Sequence, residues 1–367
     1  VPEKEWEKLL EYSKKLNIDP YTYISKTDKE TFFNNGLNNQ LINKSKCSNI
    51  DNRKAPIKGA VRDQDGIGWC YAFTAADLLS YKLNKTVSAF DIANTYNQGV
   101  VGWVSKNIGK NRESDLEGGH THSAIKGAIN KGLCLEKDIR SSDFKFAKMG
   151  QLSTEIKKLE KFKDQFDKST KINGHYSAQG SRKNAKKRLE QRKKARIKKI
   201  NEFFSDCSKL NEASWRNLFP GITNKQIVDV LLKTANSEIV NEMINEGCRT
   251  NRLNAGKLEI ESTNLLFSSD EKKLKVIDEQ LEKNNIVAIA YKSSILRDPY
   301  SEKSGAHASS IVARRFNSKT QSCDYLVRNS WGEGCSSYYK SYQCESGNVW
   351  IPKNQIAKGI MNVTYIK

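Results

Sequence analysis

The stretch "DQDGIGWCYAF", residues 63–73, poses a specific problem: a glutamine stands six residues before a cysteine, a glycine two before it, and Ala-Phe follows where a helix begins. Ala72, Ala76, Leu79 and Leu83 fall on one helical face, with Phe73 and Ala75 beside it, so the spacing predicts a buried helix from Cys70 to Leu83. A cysteine at that start is either a packed thiol or a nucleophile, whose thiolate a helix N-terminus favours. The second reading makes demands elsewhere in the chain. An attacked carbonyl needs donors for its developing oxyanion, and Gln64 can supply a side-chain N–H beside the backbone N–H of Cys70, with Gly66 and Gly68 easing the turn.

A base is the next demand. The chain has only four histidines, and His307 in "SGAHASSIV" opens an apolar, strand-like run. Asn329, in "YLVRNSWGEG", follows 22 residues later on the next predicted strand, and neighbouring antiparallel strands can set two such side chains together. Trp331 is placed to cover a His–Asn hydrogen bond from water.

These residues resemble the papain-like cysteine peptidases. That family shows Gln, five residues, Cys, an aromatic, Ala and Phe, matched by Gln64, Cys70, Tyr71, Ala72 and Phe73. Its His-Ala pair is matched by His307 and Ala308, and its Asn-Ser-Trp-Gly run by Asn329, Ser330, Trp331 and Gly332. Smaller agreements are "VS" at 87–88, "GG" at 118–119 with "SA" at 123–124, Gly132 with Glu136, and Gly347-x-x-x-Ile351. The resemblance covers roughly 55–140 and 285–367. It implies a two-lobed α+β fold, with a helical lobe carrying Cys70, an antiparallel β-barrel-like lobe carrying His307 and Asn329, and a substrate cleft between. It also implies an endopeptidase in which Cys70 attacks, His307 shuttles the proton, Asn329 holds the imidazole and Gln64 steadies the oxyanion. By the same carry-over Gly118 and Gly119 pair with the substrate backbone, and Thr121, Ala290 and Ala308 line a roomy apolar pocket.

Departures from the family pattern are as informative. The usual disulfide beside the nucleophile is replaced by Ile67 and Leu116, expected to form an apolar contact. Trp69, where the family has Ser, either narrows the cleft or stacks on substrate, or is a plain surface aromatic. No full inhibitory propeptide is evident before the core, although a helix around Trp6 has the look of a remnant.

Composition bounds the rest. With 367 residues, 37% hydrophobic and 28% charged, and a mean hydropathy of −0.69, the sequence contains no apolar run long enough to cross a bilayer. It opens on Val1 without a basic-then-apolar leader, which reads as a processed chain or one trimmed of its targeting segment. Eight cysteines include no C-x-x-C pair, so neither a metal nor a cofactor is expected. His120 and His122 form an H-x-H pair without a third ligand and are read as cleft surface; His175 has no evident partner. Cys335 and Cys344 bracket a short polar loop and form the best disulfide candidate, with Cys207–Cys248 second. Reserving Cys70 leaves an odd number, so one further thiol stays free or pairs between chains. Short cystine loops point to a secreted or periplasmic protein; the alternative is ordinary buried thiols.

The net charge is +20, and "RKNAKKRLEQRKKARIKK" at 182–199 holds eleven basic residues and one acid, half of that excess. This run is a solvated helix or loop, a processing site that would leave two chains held by the core, or a polyanion contact; it lacks the interleaved aromatics of specific nucleic-acid binders. Along the chain the sequence divides into an N-terminal extension (1–54), a helical lobe (55–142), a helical basic insertion (143–284) and a β lobe (285–367). Protein or peptide substrates and a monomeric state are expected. A non-catalytic binding protein on the same scaffold, using the insertion, is the alternative.

Overall fold

The computed structural model describes residues 47–59, 61–98, 118–141, 152–171, 182–204, 213–263, 268–301 and 304–367. The Trp6 helix, Leu116, His175 and Cys207 lie outside these. The chain is a mixed α+β protein that separates into two compact units, Val1–Glu136 with Leu253–Lys367, and Lys137–Arg252. Among the described residues no helix is long and apolar enough to cross a membrane.

In the first unit, helix α1 spans Cys70–Leu83, α2 Ala89–Gln98, α3 Thr121–Lys131 and α4 Asp270–Glu282. Helix α1 is buried from Tyr71 through Tyr81, as the apolar spacing predicts, and packs against α2 and α3. It stops at Asn84, whose left-handed φ of 50° lets its N–H close on the Ser80 carbonyl. Ser88 caps α2 through the Asp91 N–H at 3.2 Å, and Gly132 ends α3 with φ 84°.

The strands are β1 (Ile50–Asp51), β2 (Ile260–Ser262), β3 (Val287–Lys292), β4 (Ala306–Asn317), β5 (Ser322–Arg328), β6 (Gln343–Glu345), β7 (Asn348–Pro352) and β8 (Ile360–Ile366). They form one antiparallel sheet in the order β2-β8-β3-β4-β5-β7-β6, with β1 added beside β4. This is the antiparallel β lobe expected, and its sheet is not closed into a barrel among the described strands. Nothing among the described strands joins β2 to β6, and two three-residue edge strands offer few backbone groups with which to close a barrel. Helix α4 lays Leu274, Ile277 and Leu281 into the same core as Val287, Ile289, Ile311, Val327, Val349 and Val363. Sequence texture puts the insertion at 143–284, whereas the packing divides the chain at 136 and 253, because α4 and β2 join the sheet unit.

A buried charge network ties α1 to the sheet. Asp77 on α1 receives Arg62 Nη2 at 2.8 Å and faces Arg328 Nε of β5 at 3.3 Å, while Arg62 also reaches Glu136 at 3.4 Å. All four side chains are buried. Disulfides join Cys335 to Cys344, as expected, and Cys47 to Cys323, which spans 276 residues. Cys134 and Cys248 are also disulfide-bonded. Cys70 is the free cysteine among the described residues.

The second unit holds helices Leu152–Thr170, Arg182–Phe203, Asn224–Lys233 and Ile239–Cys248 around its own apolar centre of Leu159, Phe166, Trp215, Leu218, Ile227 and Met243. Residues 190–198 of the basic helix are exposed all round, more than two turns without a buried face.

Candidate active site

Cys70 begins α1, and α1 packs on β4, the strand that starts with Ala306-His307-Ala308. The backbone N–H groups of Ala308, Tyr71 and Cys70 itself all favour a charged Cys70 thiol. Burial opposes them and pushes the thiol up to about 11. The same burial, with a smaller contribution from the Arg297 charge, pulls His307 down to about 4 against the help of its Asn329 hydrogen bond. Each group thus resists carrying a lone charge. A proton passed from one to the other creates both charges at once, and each offsets the other's desolvation.

His307 Nε2 lies 2.7 Å from Asn329 Oδ1. The direction of that bond follows from the surrounding network. Tyr338 donates its hydroxyl hydrogen to the Gly347 carbonyl (3.0 Å) and so accepts from Asn329 Nδ2 (3.1 Å), which turns Oδ1 toward the imidazole. Ser309 Oγ donates to the same Oδ1 at 2.9 Å, and the Tyr291 hydroxyl, 2.8 Å from that Ser309, supports it in turn. Asn329 Oδ1 therefore takes a hydrogen from Nε2, leaving Nδ1 as the basic nitrogen. His307 and Asn329 are both buried, and the half-buried Trp331 ring stands 5.0 Å from the imidazole, the cover expected of it. Sequence reasoning missed Tyr291, Ser309 and Tyr338. Ser309 and Tyr291 were within reach, because Ser309 lies two residues from His307 on one strand face and Tyr291 is His307's register partner. Tyr338 sits in a polar cystine loop that carries no such signal.

The loop before Cys70 is laid along the Asn329 segment. Gln64 N–H donates to the Ser330 carbonyl (2.8 Å), the Ser330 hydroxyl donates to Gln64 Oε1, and Asp63 bridges to Trp331. Gln64 Nε2 spends one hydrogen on the Ile67 carbonyl at 2.7 Å; the other has no acceptor among the described residues. The left-handed residue of this turn is Asp65, at φ 59°, rather than Gly66 or Gly68. An aspartate tolerates that region through local hydrogen bonding, and the Asp65 N–H bonds Asp63 Oδ1 at 2.7 Å.

Of the predicted substrate contacts, Gly118 lies against the nucleophile loop, its N–H on the Gly68 carbonyl at 2.9 Å. A Cβ on Gly119 would fall 2.7 Å from the Tyr71 ring, so only glycine fits beside that aromatic. Thr121 opens α3. Ala290 and Ala308 are register partners, side by side on the face of β3–β4 opposite to His307. Trp69 departs from both expectations: it is buried, with its ring stacked on Phe90 at 5.7 Å, and leaves no open face for a substrate or for the surface. Burying an indole against a neighbouring phenylalanine is worth more than exposing it in a cleft. His122 is partly buried, its Nδ1 is without a hydrogen-bond partner, and burial lowers its basicity. No cluster of metal-ligating side chains is present among the described residues.

The depressed His307 pKa makes a prediction best read in Cys70→Ala, where no thiolate forms. Unfolded imidazole titrates near 6.5 and folded His307 near 4. The contribution to stability is therefore complete above 6.5 and declines as pH falls toward 4, about 3 kcal/mol in all. Urea unfolding of Cys70→Ala between pH 7 and 4 checks it; a His307 titration at or above 6.5 by NMR contradicts it.

No family model and no curated protein matches the chain. Solved structures do. The Amb a 11 cysteine protease, a major ragweed pollen allergen, in its proform, is 13% identical over 89% of this chain and 67% of that one, with a TM-score of 0.39. Digestive procathepsin L 3 of Tenebrio molitor larval midgut is 12% identical over 87% and 69%, with a TM-score of 0.38. Digestive procathepsin L2 proteinase from the same midgut is 13% identical over 87% and 67%, with a TM-score of 0.39. At TM-scores below 0.5 no conclusion rests on these likenesses, and the chemistry of the site is read from its own geometry.

Proposed function

We propose that this chain is a papain-like cysteine endopeptidase, a reading carried by the buried His307–Asn329 hydrogen bond together with the N–H of Ala308, the residue after His307, which reaches the Cys70 thiol at the start of α1. Cys70 passes its proton to His307 Nδ1 and attacks the scissile carbonyl. The oxyanion meets the second Nε2 hydrogen of Gln64 and the Cys70 N–H, one of the helix-start donors that lack an intrahelical acceptor. His307 returns the proton to the leaving amine, the acyl group stays on Cys70, and water then releases it through the same base. Gly118 and Gly119 align the acyl half of the substrate, and Thr121, Ala290 and Ala308 form its apolar pocket. Gln64→Ala is expected to lower kcat about 10²-fold to 10³-fold with little change in KM. Steady-state turnover of an internally quenched peptide checks this; an unchanged kcat removes Gln64 from the reaction.

The disulfides support an oxidising, extracellular or periplasmic setting for this activity. The exposed basic helix supports a separate contact with polyanions. Retention on heparin that falls steeply with salt and vanishes on deletion of 182–199 is the expected result; retention unaffected by the deletion rules the contact out.

A further inference from the structure

Among the described residues, Arg297 is the one cation that stands over the Trp331 ring covering the His307 imidazole. It ends a single helical turn, Ser294–Arg297, anchored by buried Ile295 and Leu296 and tied to the cystine loop where the Tyr339 N–H meets the Leu296 carbonyl at 2.8 Å. Its guanidinium lies 4.5 Å from the centroid of the Trp331 ring, which is 5.0 Å from the His307 ring and stacked at 5.8 Å on Tyr338. Arg297 is exposed, and no carboxylate among the described residues pairs with it, Asp298 and Asp63 included. Most other arginines of this unit are engaged: Arg53, Arg62, Arg314, Arg315 and Arg328 all form ion pairs.

We infer that Arg297 and Trp331 form a subsite for a substrate carboxylate just C-terminal to the cleaved bond, so that the enzyme prefers Asp or Glu there. The inference rests on the peptidase reading. His307 protonates the leaving amine, so the departing half of the substrate passes the imidazole and the Trp331 ring beside it, whereas the acyl half remains at Cys70 along Gly118–Gly119. A carboxylate on the departing half meets a planar, charged donor already held flat by an aromatic face, which lowers the ordering cost of the pair. The same chemistry would accept the free C-terminal carboxylate of a short substrate.

The test uses internally quenched peptides identical except for Asp, Asn or Lys immediately after the scissile bond, each with a free and an amidated C-terminus. Wild type is expected to cleave the Asp peptide about tenfold faster than the Lys peptide in kcat/KM, with the ratio shrinking in high salt. Arg297→Ala brings the ratio close to one, Arg297→Glu inverts it, and Arg297→Lys keeps part of it. A gain from the free terminus that is lost in Arg297→Ala identifies the substrate's own carboxylate as a second source. A flat wild-type ratio, or one that survives Arg297→Ala, overturns the subsite while leaving the peptidase reading intact. Failure of wild type to cleave any of the peptides, or denatured protein, overturns both.

Discussion

Asp77→Ala is expected to destabilise the protein by about 3–5 kcal/mol, the cost of removing one partner from a buried ion network. Asp77 is shared between Arg62 at 2.8 Å and Arg328 at 3.3 Å, and without it the two buried guanidinium groups lose their common carboxylate, Arg62 keeping Glu136 at 3.4 Å and the Val87 carbonyl at 2.8 Å, and Arg328 keeping the Gly59 carbonyl at 2.9 Å. Burial lowers the Arg328 pKa from the ordinary arginine value, and the Asp77 charge opposes that shift. Asp77→Asn keeps the shape and one acceptor and should lose less. The consequence reaches chemistry as well, because Asp77 lies two turns below Cys70 on one helix, Arg328 immediately precedes Asn329, and Arg62 is two residues before Gln64. The network thus holds Cys70, Asn329 and Gln64, the proposed nucleophile, orienting amide and oxyanion donor, in one frame. Urea unfolding of Asp77→Ala and Asp77→Asn is the measurement; losses under about 1 kcal/mol in both would mean that the network is not structural.

His307→Ala should lower kcat for peptide hydrolysis by at least about 10³-fold, more than Asn329→Ala. With no base at Nδ1, the Cys70 proton must go to water from a thiol that burial holds at about 11, and no imidazolium forms to offset the thiolate. Asn329→Ala is predicted to be milder, because the imidazole survives but loses the 2.7 Å bond that selects its basic nitrogen. The order of the two effects is the diagnostic result: a larger loss in Asn329→Ala would mean that the asparagine does more than orient.

The four residues of the proposed site could be singled out in the sequence because the proposed chemistry constrains their types and each sits in a short run with a defined local shape. Cys70 needs a helix start, His307 a strand start, and Asn329 the adjacent strand end, and the packing of α1 on β4 and of β4 on β5 supplies the rest. Side-chain direction was less accessible. Trp69 occupies a motif position, yet nothing in the string indicates that its ring turns inward to Phe90. The Cys47–Cys323 bridge was hidden for a related reason: with a separation of 276 residues, only the tertiary arrangement of β1 beside β4 and β5 brings the two together. Sequence texture grouped α4 with the charged helical insertion, and nothing in it says that Leu274, Ile277 and Leu281 belong to the sheet core. Sheet closure was equally out of reach, since runs of strands look alike in an open sheet and in a barrel.

The most direct test of the proposed chemistry is a labelling experiment on the intact protein. An epoxide inhibitor of papain-like enzymes should add once per chain, and peptide mapping should place the adduct on Cys70, with turnover of an unfolded protein lost in proportion. Cys70→Ala should neither take up the label nor cleave the substrate. Equal labelling and equal turnover in wild type and Cys70→Ala would contradict the assignment of Cys70 as the nucleophile, and with it the proposed peptidase.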